Sequence, residues 1–201
     1  MTPPLPRGLY GIADTGFGDP LVTALQLARG GARVIQLRAK NWNTAQRVTV
    51  GRALVKCLHP LGVLVVMNDD LEAAASAGVD GLHLGQDDGS LAVARARLGP
   101  RSLLGRSTHC LAEAVGVEPE ADYIGFGPVF ETKTKRAAGD SLGPAALTRV
   151  VRAVALPVVA IGGIRLEHLP HLRAAGAHHW AVISDILTHQ DPEGRARRFR
   201  W

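Results

Sequence analysis

The sequence predicts an α/β fold, a closed single-domain (β/α)8 TIM barrel over residues 1–201. Short apolar runs rich in β-branched residues recur along the whole chain, and alanine- and leucine-rich segments with helical spacing separate them. Continuous apolar runs that alternate with helices indicate parallel strands covered by helices. Eight such strand–helix units are the number that closes this barrel, and a doubly wound open sheet is the alternative.

Each predicted strand is an apolar run of strand length, too short to cross a membrane. In chain order the strands are Leu9–Ala13, Val34–Leu37, Val63–Met67, Gly81–Leu84, Leu103–Gly105, Tyr123–Phe126, Val158–Ile161 and Ala181–Ile183. The segments between them carry apolar residues at helical spacing, as in Leu21, Ala24, Leu25 and Ala28. No composition shift or long linker indicates a second domain.

Composition excludes several classes of protein. The chain has 201 residues, 46% of them hydrophobic, a length and composition typical of a globular fold with a sizeable core. The net charge of +5 suits nucleic acid, but an aromatic content of 4% leaves few side chains for stacking on bases. We therefore expect no nucleic-acid partner and no membrane association. Four C-terminal arginines are interpreted as the solvated face of a last helix: Arg195, Arg197, Arg198 and Arg200.

The two cysteines and the first residues indicate a cytoplasmic protein. Cys57 and Cys110 lack the spacing of a metal site and are interpreted as reduced structural thiols. Residues 1–7 are proline-rich and contain no apolar stretch of the kind that a signal peptide carries.

Polar side chains follow the second predicted strand, where the mouth of the barrel is expected. Because side chains alternate along a strand, Gln36, Arg38 and Lys40 share one face, whereas Ile35 and Leu37 point toward the helices. Cationic groups on an inward face are costly to bury without an anionic partner. The pattern predicts an anion-binding site, with a surface strand as the alternative.

Acidic residues follow the third and fourth predicted strands. Carboxylates from adjacent strand ends can bind one hard cation, and Mg²⁺ usually takes one or two of them together with water and substrate phosphate oxygens. We expect Asp69 and Asp88 to bind Mg²⁺, while Asp70 and Asp87 cap the helices that follow. Helix capping without a metal is the alternative.

Ser107 and His109 share a face at the end of the fifth predicted strand. A serine and a histidine together suggest a hydrolase, but no carboxylate is evident to orient the histidine and no Gly-x-Ser-x-Gly motif is present. His109 is therefore interpreted as a positioned hydrogen-bonding residue rather than as the base of a nucleophile.

Phosphate-binding features follow the last three predicted strands. Residues Thr132–Lys135 alternate hydroxyl and ammonium groups, which donate hydrogen bonds to phosphate and neutralise its charge. A solvated basic loop is the alternative. Gly162 and Gly163 follow the seventh strand, where glycines let the backbone approach a ligand and amides at a helix start bind phosphate. The loops after strands seven and eight form the recurrent phosphate site of this barrel class.

Taken together, these motifs resemble the thiamine phosphate synthase family over nearly the whole chain. Each motif is only moderately specific, and their order and spacing carry the resemblance. The motifs are Gln36–Lys40, Asn68–Asp69, Gly81–Asp88, Gly105–His109, Asp122–Phe130, Thr132–Lys135 and Ala160–Ile164.

The resemblance implies a transferase that joins hydroxymethylpyrimidine pyrophosphate to thiazole phosphate by a dissociative substitution, with Mg²⁺ as cofactor. The products are thiamine phosphate and pyrophosphate. Assembly of the chain into a homo-oligomer is an open alternative to a monomer. The implied Mg²⁺ ligands are Asp69 and Asp88. The implied residues for the pyrimidine pyrophosphate are Gln36, Arg38, Lys40, Asn68, Ser107 and Lys135; those for the thiazole phosphate are Thr132, Thr134, Gly163, Ile183 and Ser184. Arg38, Lys40, Ser107 and Lys135 are the candidate catalytic residues.

One position departs from the family pattern. Arginine usually follows Asn-Asp in the family, whereas this chain has Asp70, a negative charge beside the predicted metal site. A metal-independent thiazole tautomerase of the same superfamily, with His109 as acid–base group, is the nearest alternative. A non-catalytic phosphate-ligand-binding barrel and a nucleic-acid-binding protein are the others. The intact Asn68–Asp69 and Gln86–Asp88 motifs favour the synthase.

Overall fold

Eight parallel strands pair in chain order and the eighth closes onto the first in the computed structural model of the chain, which describes residues 4–132 and 141–201. The strands are β1 (Gly8–Asp14), β2 (Val34–Arg38), β3 (Leu64–Asn68), β4 (Gly81–Leu84), β5 (Leu103–Thr108), β6 (Tyr123–Phe126), β7 (Val158–Ile161) and β8 (His179–Val182). The helices are α1 (Pro20–Arg29), α2 (Thr44–Leu58), α3 (Leu71–Ala77), α4 (Leu91–Leu98), α5 (Leu111–Val115), α6 (Gly143–Ala153), α7 (Leu169–Ala174), α8 (Ser184–Leu187) and α9 (Pro192–Arg197). The closed order confirms the predicted (β/α)8 barrel over the open sheet.

The observed strand limits follow from the pairing of neighbouring strands. β5 continues beyond the predicted end to Thr108, because its pairing with β6 runs as far as Phe126. β8 starts at His179 rather than at Ala181, because His179 is in register with Gly8 at the start of β1. Sequence pattern alone does not contain this register information.

Alternation along β2 directs its side chains to two apolar cores, one between the strands and the helices and one inside the barrel. Ile35 and Leu37 point outward and belong to the large core between the strands and the helices. Gln36 points inward, where its side-chain amide donates to the Tyr10 hydroxyl over 3.1 Å. The predicted division of this strand into a helix-facing side and an interior side is confirmed.

Acidic and hydroxyl side chains start the helices on the cavity side of the barrel. The Asp70 carboxylate accepts the Ala73 N–H at 2.8 Å and caps α3, as predicted. The expectation that Asp87 caps the next helix is wrong. α4 starts only at Leu91, so Ser90 is in the capping position and its hydroxyl accepts the Ala92 N–H at 3.1 Å.

The C-terminal arginines are not simply a solvated helix face. Arg195 on α9 forms two hydrogen bonds of 2.9 Å to the Asp185 carboxylate on α8. Arg200 donates to the Gly30 carbonyl over 3.0 Å and so ties the chain end to α1. Both cysteines are free thiols. None of the helices within residues 4–132 and 141–201 is long and apolar enough to cross a membrane.

Candidate active site

A cavity of about 200 Å³ opens at the carboxyl ends of the barrel strands. Because all eight strands are parallel, the residues that follow them meet at this one end. The predicted site residues within the described chain all line the cavity: Gln36, Arg38, Lys40, Asn68, Asp69, Asp88, Ser107, Thr132, Gly163, Ile183 and Ser184. The other two, Thr134 and Lys135, lie outside the described residues.

Asp69 and Asp88 lie next to each other on one side of the cavity. The Lys40 ammonium forms an ion pair with Asp69, and the Asp88 carboxylate accepts the Gly85 N–H at 2.8 Å. Burial and the neighbouring Asp69 carboxylate raise the pKa of Asp88, against smaller opposing effects of the Gly85 amide and Lys40. Two adjacent carboxylates repel each other, so a cation at this position is stabilising.

The backbone of Asp69 is strained. Its φ angle is 64°, and within the described part of the chain it is the only residue other than glycine with a positive φ. This conformation is unfavourable for an L-residue, although aspartate tolerates it better than most. It separates two consecutive carboxylates, because Asp69 lines the cavity whereas Asp70 caps a helix. Strained backbone of this kind is concentrated at functional sites.

The acidic pair fits Mg²⁺ by the chemistry of its ligands. In residues 4–132 and 141–201 no group of three or more His, Cys, Asp or Glu side chains is arranged to hold a metal ion. Mg²⁺ does not need such a group, because it takes one or two carboxylates and fills its remaining positions with water and phosphate oxygens. Asp69 and Asp88 therefore suit an ion that binds together with a phosphorylated ligand.

Arg38 and Lys40 extend from the end of β2 into the cavity. Arg38 is held by an ion pair with Asp14 at the end of β1, and Asp14 also accepts the Gly16 N–H at 2.8 Å. The exposed fraction of the side chain is 20% for Arg38 and 54% for Lys40. Arg38 is thus a fixed positive charge, whereas the Lys40 ammonium is accessible to an incoming anion.

A chain of hydrogen bonds crosses the cavity floor from Gln36 to Ser107. Gln36 donates to Tyr10, the Tyr10 and Tyr123 hydroxyls lie 2.8 Å apart, and Tyr123 lies 3.0 Å from His83 Nδ1. His83 Nε2 lies 2.9 Å from Ser107 Oγ. Burial raises the pKa of Tyr10 to about 12 and raises the pKa of Tyr123 well above its usual value. Both tyrosines are therefore neutral near pH 7, and the chain fixes the position of Ser107.

His109 lies in the cavity wall beside a carboxylate that was not expected from the sequence. His109 Nδ1 is 3.2 Å from Glu113 Oε2, and the same carboxylate accepts the His109 backbone N–H at 2.7 Å. The expectation that no carboxylate orients this histidine is therefore wrong. Because His83 contacts Ser107, the Ser107–His109 pair considered for a hydrolase is not the one that the structure forms.

Gly162 and Gly163 lie beneath the segment that leads to Thr132. A Cβ atom would lie 2.5 Å from Pro128 Cα at Gly162 and 2.1 Å from Glu131 O at Gly163. Their φ angles, 98° and 61°, also disfavour any larger residue. These glycines are thus required by close contact with a neighbouring loop, not only by a ligand. The helical turn that follows this strand end starts at Leu166, three residues after Gly163.

Comparison with known proteins decides the family. The family model described as thiamine monophosphate synthase matches residues 9–186. The chain belongs to this family. It is 42% identical over 168 residues to a thiamine-phosphate synthase of Laribacter hongkongensis, covering 84% of this chain and 80% of that protein. It is 40% identical over 195 residues to a thiamine-phosphate synthase of Herpetosiphon aurantiacus, covering 95% of this chain and 94% of that protein.

A solved structure agrees with this assignment. A thiamine phosphate pyrophosphorylase from Pyrococcus furiosus superposes with a TM-score of 0.87 at 31% identity, covering 95% of this chain and 92% of that one. Thiamine-phosphate synthases are transferases, and the prediction of a transferase of thiamine biosynthesis is confirmed.

Asp70, which stands where the resemblance predicts arginine, is accommodated locally. The Asp70 carboxylate accepts hydrogen bonds from Arg47 Nη1 at 2.8 Å and from the Thr44 hydroxyl at 2.9 Å, besides the Ala73 N–H. These bonds lower the pKa of Asp70, although burial acts in the opposite direction. Arg47 also donates to the Ala39 carbonyl over 3.0 Å. The negative charge of Asp70 is therefore neutralised by α2.

Asp14 and His83 contact the predicted site residues but were missed from the sequence. Asp14 directly follows the apolar run of the first strand, as polar residues do at the other strand ends, and that signal was available. His83 lies within the apolar run of β4, on the same face as Gly81. Strand alternation points it inward, but only the structure shows that Tyr123 and Ser107 lie on either side of it.

Proposed function

We propose that the chain condenses hydroxymethylpyrimidine pyrophosphate with thiazole phosphate to thiamine phosphate and pyrophosphate. The observation that carries this proposal is a single cavity lined by residues assigned to both substrates, in a member of the thiamine monophosphate synthase family. The proposal includes one barrel domain over residues 1–201, with its site at the carboxyl ends of the strands.

The leaving pyrophosphate is bound by cations in this proposal. The bond between the pyrimidine methylene carbon and the pyrophosphate oxygen breaks, and its electron pair leaves with pyrophosphate. Arg38, Lys40 and Lys135 stabilise the growing negative charge, and Asn68 donates a side-chain hydrogen bond. The ion pair of Arg38 with Asp14 supports the role of Arg38, because its guanidinium does not have to be ordered again in the transition state.

The acidic pair has a separate role. Asp69 and Asp88 would hold Mg²⁺, which when bound supplies charge neutralisation for the pyrophosphate. Lys40 forms an ion pair with Asp69, and about half of its side chain is exposed, which supports its contact with a phosphate oxygen of the pyrimidine substrate.

The pyrimidine ring is positioned by Ser107 and Gln36. These residues terminate the hydrogen-bond chain through Tyr10, Tyr123 and His83, which supports a fixed orientation of the Ser107 hydroxyl. The amino group of the pyrimidine donates electrons to the methylene carbon and stabilises a cation there, so ionisation precedes attack. Apolar side chains of the barrel interior exclude water that would otherwise capture this cation.

The thiazole phosphate is held on the other side of the cavity. Thr132, Thr134 and Ser184 donate hydroxyl hydrogen bonds to its phosphate, and the Gly163 and Ile183 backbone borders it. The thiazole nitrogen then forms the new bond to the methylene carbon. No protein nucleophile takes part, and the protein contributes positioning and electrostatic stabilisation.

A direct assay tests the proposal. Purified protein is incubated with both heterocyclic substrates and Mg²⁺, and thiamine phosphate is detected after oxidation to its fluorescent product. We expect product only when both substrates are present, with one pyrophosphate released per thiamine phosphate. Absence of thiamine phosphate from folded wild-type protein would contradict the proposal.

A second candidate is favoured by one observation, the contact between His109 and Glu113 in the cavity wall. A carboxylate-oriented histidine is suited to proton transfer, as a thiazole tautomerase would require. A tautomerase would isomerise thiazole phosphate without a metal and without the pyrimidine substrate. The His109→Gln variant would lose this isomerisation. The synthase predicts that His109→Gln keeps forming thiamine phosphate.

A further inference from the structure

The loop between β4 and α4, residues 85–89, contains Asp88 and is held from outside the barrel by Arg106. Arg106 lies on β5 between Gly105 and Ser107, so alternation directs its side chain away from the cavity that Ser107 lines. Only 5% of its side chain is exposed. A nearly buried arginine needs partners for all its donors, and its partners reveal its role.

Arg106 holds both ends of this loop. Nη1 donates to the Gly85 carbonyl at 2.5 Å, and Nη2 donates to the Gly89 carbonyl at 2.7 Å. Nε and Nη2 also donate to the Glu118 carboxylate at 3.0 and 2.6 Å. This set of contacts needs a planar fork of donors, which lysine does not have.

Glu118 extends the same contact to the start of α4. Its carboxylate accepts the Leu91 N–H at 3.0 Å. Hydrogen bonds from Arg106 and Leu91 lower the pKa of Glu118 despite its partial burial, so the carboxylate is ionised near neutral pH. The loop is therefore fixed at Gly85, Gly89 and Leu91 by one ion pair.

Gly85 connects this ion pair to the acidic pair in the cavity. Its carbonyl accepts from Arg106, and its N–H donates to the Asp88 carboxylate at 2.8 Å. A Cβ atom at this position would lie 2.5 Å from Asp88 Oδ2, which shows how closely the carboxylate approaches the backbone. The position of the Asp88 carboxylate is thus linked to that of the Gly85 backbone.

We propose that Arg106 is a positioning residue, which holds Asp88 close to Asp69 by fixing Gly85 and Gly89. The two carboxylates repel each other, so without a clamp the loop relaxes until they are further apart. Holding them together prepares the pair for a divalent cation bound with pyrophosphate. This inference rests on the proposed function, because it assigns Asp69 and Asp88 to that cation.

The chain offers a matched control in Arg95, which makes the same kinds of contact away from the cavity. Arg95 donates to the Ser102 carbonyl at 2.5 Å, to the Glu120 carbonyl at 2.8 Å and to the Asp122 carboxylate at 2.7 Å. These partners directly precede β5 and β6, at the amino-terminal end of the barrel. Its removal therefore tests the general effect of losing an arginine clamp.

The experiment compares Arg106→Lys, Glu118→Gln and Arg95→Lys with the wild type. Electron paramagnetic resonance measures the binding of Mn²⁺ in the presence of inorganic pyrophosphate. An activity assay gives the Mg²⁺ concentration for half-maximal synthesis, and urea unfolding gives the stability of each variant. We expect Arg106→Lys to weaken Mn²⁺ binding roughly tenfold, because loss of a residue that positions a metal ligand typically lowers metal affinity by at least that factor. This variant should regain most of its turnover at high Mg²⁺. Glu118→Gln is expected to weaken Mn²⁺ binding and to raise the Mg²⁺ concentration for half-maximal synthesis, both by less than Arg106→Lys does. Arg95→Lys is expected to lower stability without changing either metal response.

The outcomes separate the possibilities. The inference is overturned if Arg106→Lys binds Mn²⁺ within about twofold of the wild-type affinity. It is also overturned if Arg95→Lys loses as much Mn²⁺ affinity as Arg106→Lys does. If Arg106→Lys does not fold, Glu118→Gln decides, because it keeps both carbonyl contacts of Arg106. If the wild type binds Mn²⁺ with pyrophosphate but forms no thiamine phosphate, the proposed function fails, and the binding data still test Arg106.

Discussion

Arg47 on α2 donates a hydrogen bond of 2.8 Å to the carboxylate of Asp70, the residue that follows the Asn68–Asp69 segment. The exposed fractions of the two side chains are 20% and 12%, so the pair is shielded from solvent. Arg47 thus places a positive charge directly beside the Asn68–Asp69 segment. The negative charge of Asp70 is therefore compensated by a helix of the preceding strand–helix unit.

Substitution of Asp70 is expected to affect stability more than metal binding. Asp70→Ala removes the cap of α3 and leaves Arg47 without its carboxylate, which costs about 1–2 kcal/mol in the free energy of unfolding. Asp70→Asn keeps the capping oxygen and loses less. Urea unfolding measures both, and the Mg²⁺ concentration for half-maximal activity should change less than about threefold. A tenfold weaker Mg²⁺ response in Asp70→Asn would show that its negative charge reaches the metal site.

Loss of either carboxylate of the acidic pair should abolish most of the response to Mg²⁺. Asp69→Asn and Asp88→Asn each remove one ligand charge, and we expect at least a tenfold fall in turnover at low Mg²⁺. Asp87→Asn is the matched control, because Asp87 is exposed and does not line the cavity. Excess chelator should stop the wild-type reaction. Full activity in chelator would refute the roles of Asp69 and Asp88.

Lys135 is expected to stabilise the leaving pyrophosphate, although it lies outside the described residues. Lys135→Ala should lower turnover at least tenfold, equivalent to about 1.4 kcal/mol of transition-state stabilisation. Lys133→Ala, two residues earlier in the same motif, serves as the control and should lose less. Steady-state assays at saturating Mg²⁺ measure both variants, and wild-type turnover in Lys135→Ala removes this residue from the mechanism.

Gly163→Ala is expected to weaken thiazole phosphate binding. The added methyl group would meet the Glu131 carbonyl at 2.1 Å and displace the segment that carries Thr132. Gly62→Ala is the control, because Gly62 has a similar φ of 68° but no atom within 4 Å of the added carbon. Both variants incur backbone strain of about 1 kcal/mol, but only Gly163→Ala should raise KM for thiazole phosphate, by roughly tenfold. Equal KM values in both variants would contradict the assignment.

His179 should make stability sensitive to acid. It is 7% exposed, and its Nε2 lies 3.3 Å from the Leu5 carbonyl. Burial, assisted by His178 and Arg7, lowers its pKa below the ordinary value near 6.5, so in mild acid the unfolded chain binds the proton more readily. The free energy of unfolding is therefore expected to fall as the pH drops below about 6.5.

His179→Gln tests this expectation, because it removes the titrating group. Urea unfolding of the wild type and the variant on either side of pH 6.5 should show a smaller acid loss in the variant, with the remainder due to other groups such as His168, whose pKa burial also lowers. An unchanged pH dependence in His179→Gln would contradict the assignment.

Much of the site follows from two local rules. Alternation along β2 separates Gln36, Arg38 and Lys40 from the residues that face the helices, and parallel strands carry their following residues to one end. These rules predict that the site residues lie around one end of the barrel, and those of the described chain line one cavity there. They failed at Asp87, because helix starts depend on loop length, and at the start of β8, because register depends on the neighbouring strand.

The amino-acid sequence by itself determined the barrel, the direction of its inward side chains and the family, because periodicity and motif order are properties of the chain alone. Tertiary structure decided which charges meet. Asp14 with Arg38, Arg47 with Asp70 and Arg106 with Gly85 join residues from different strand–helix units. Such contacts depend on how helices and loops pack across the barrel, and local spacing along the chain does not encode those distances.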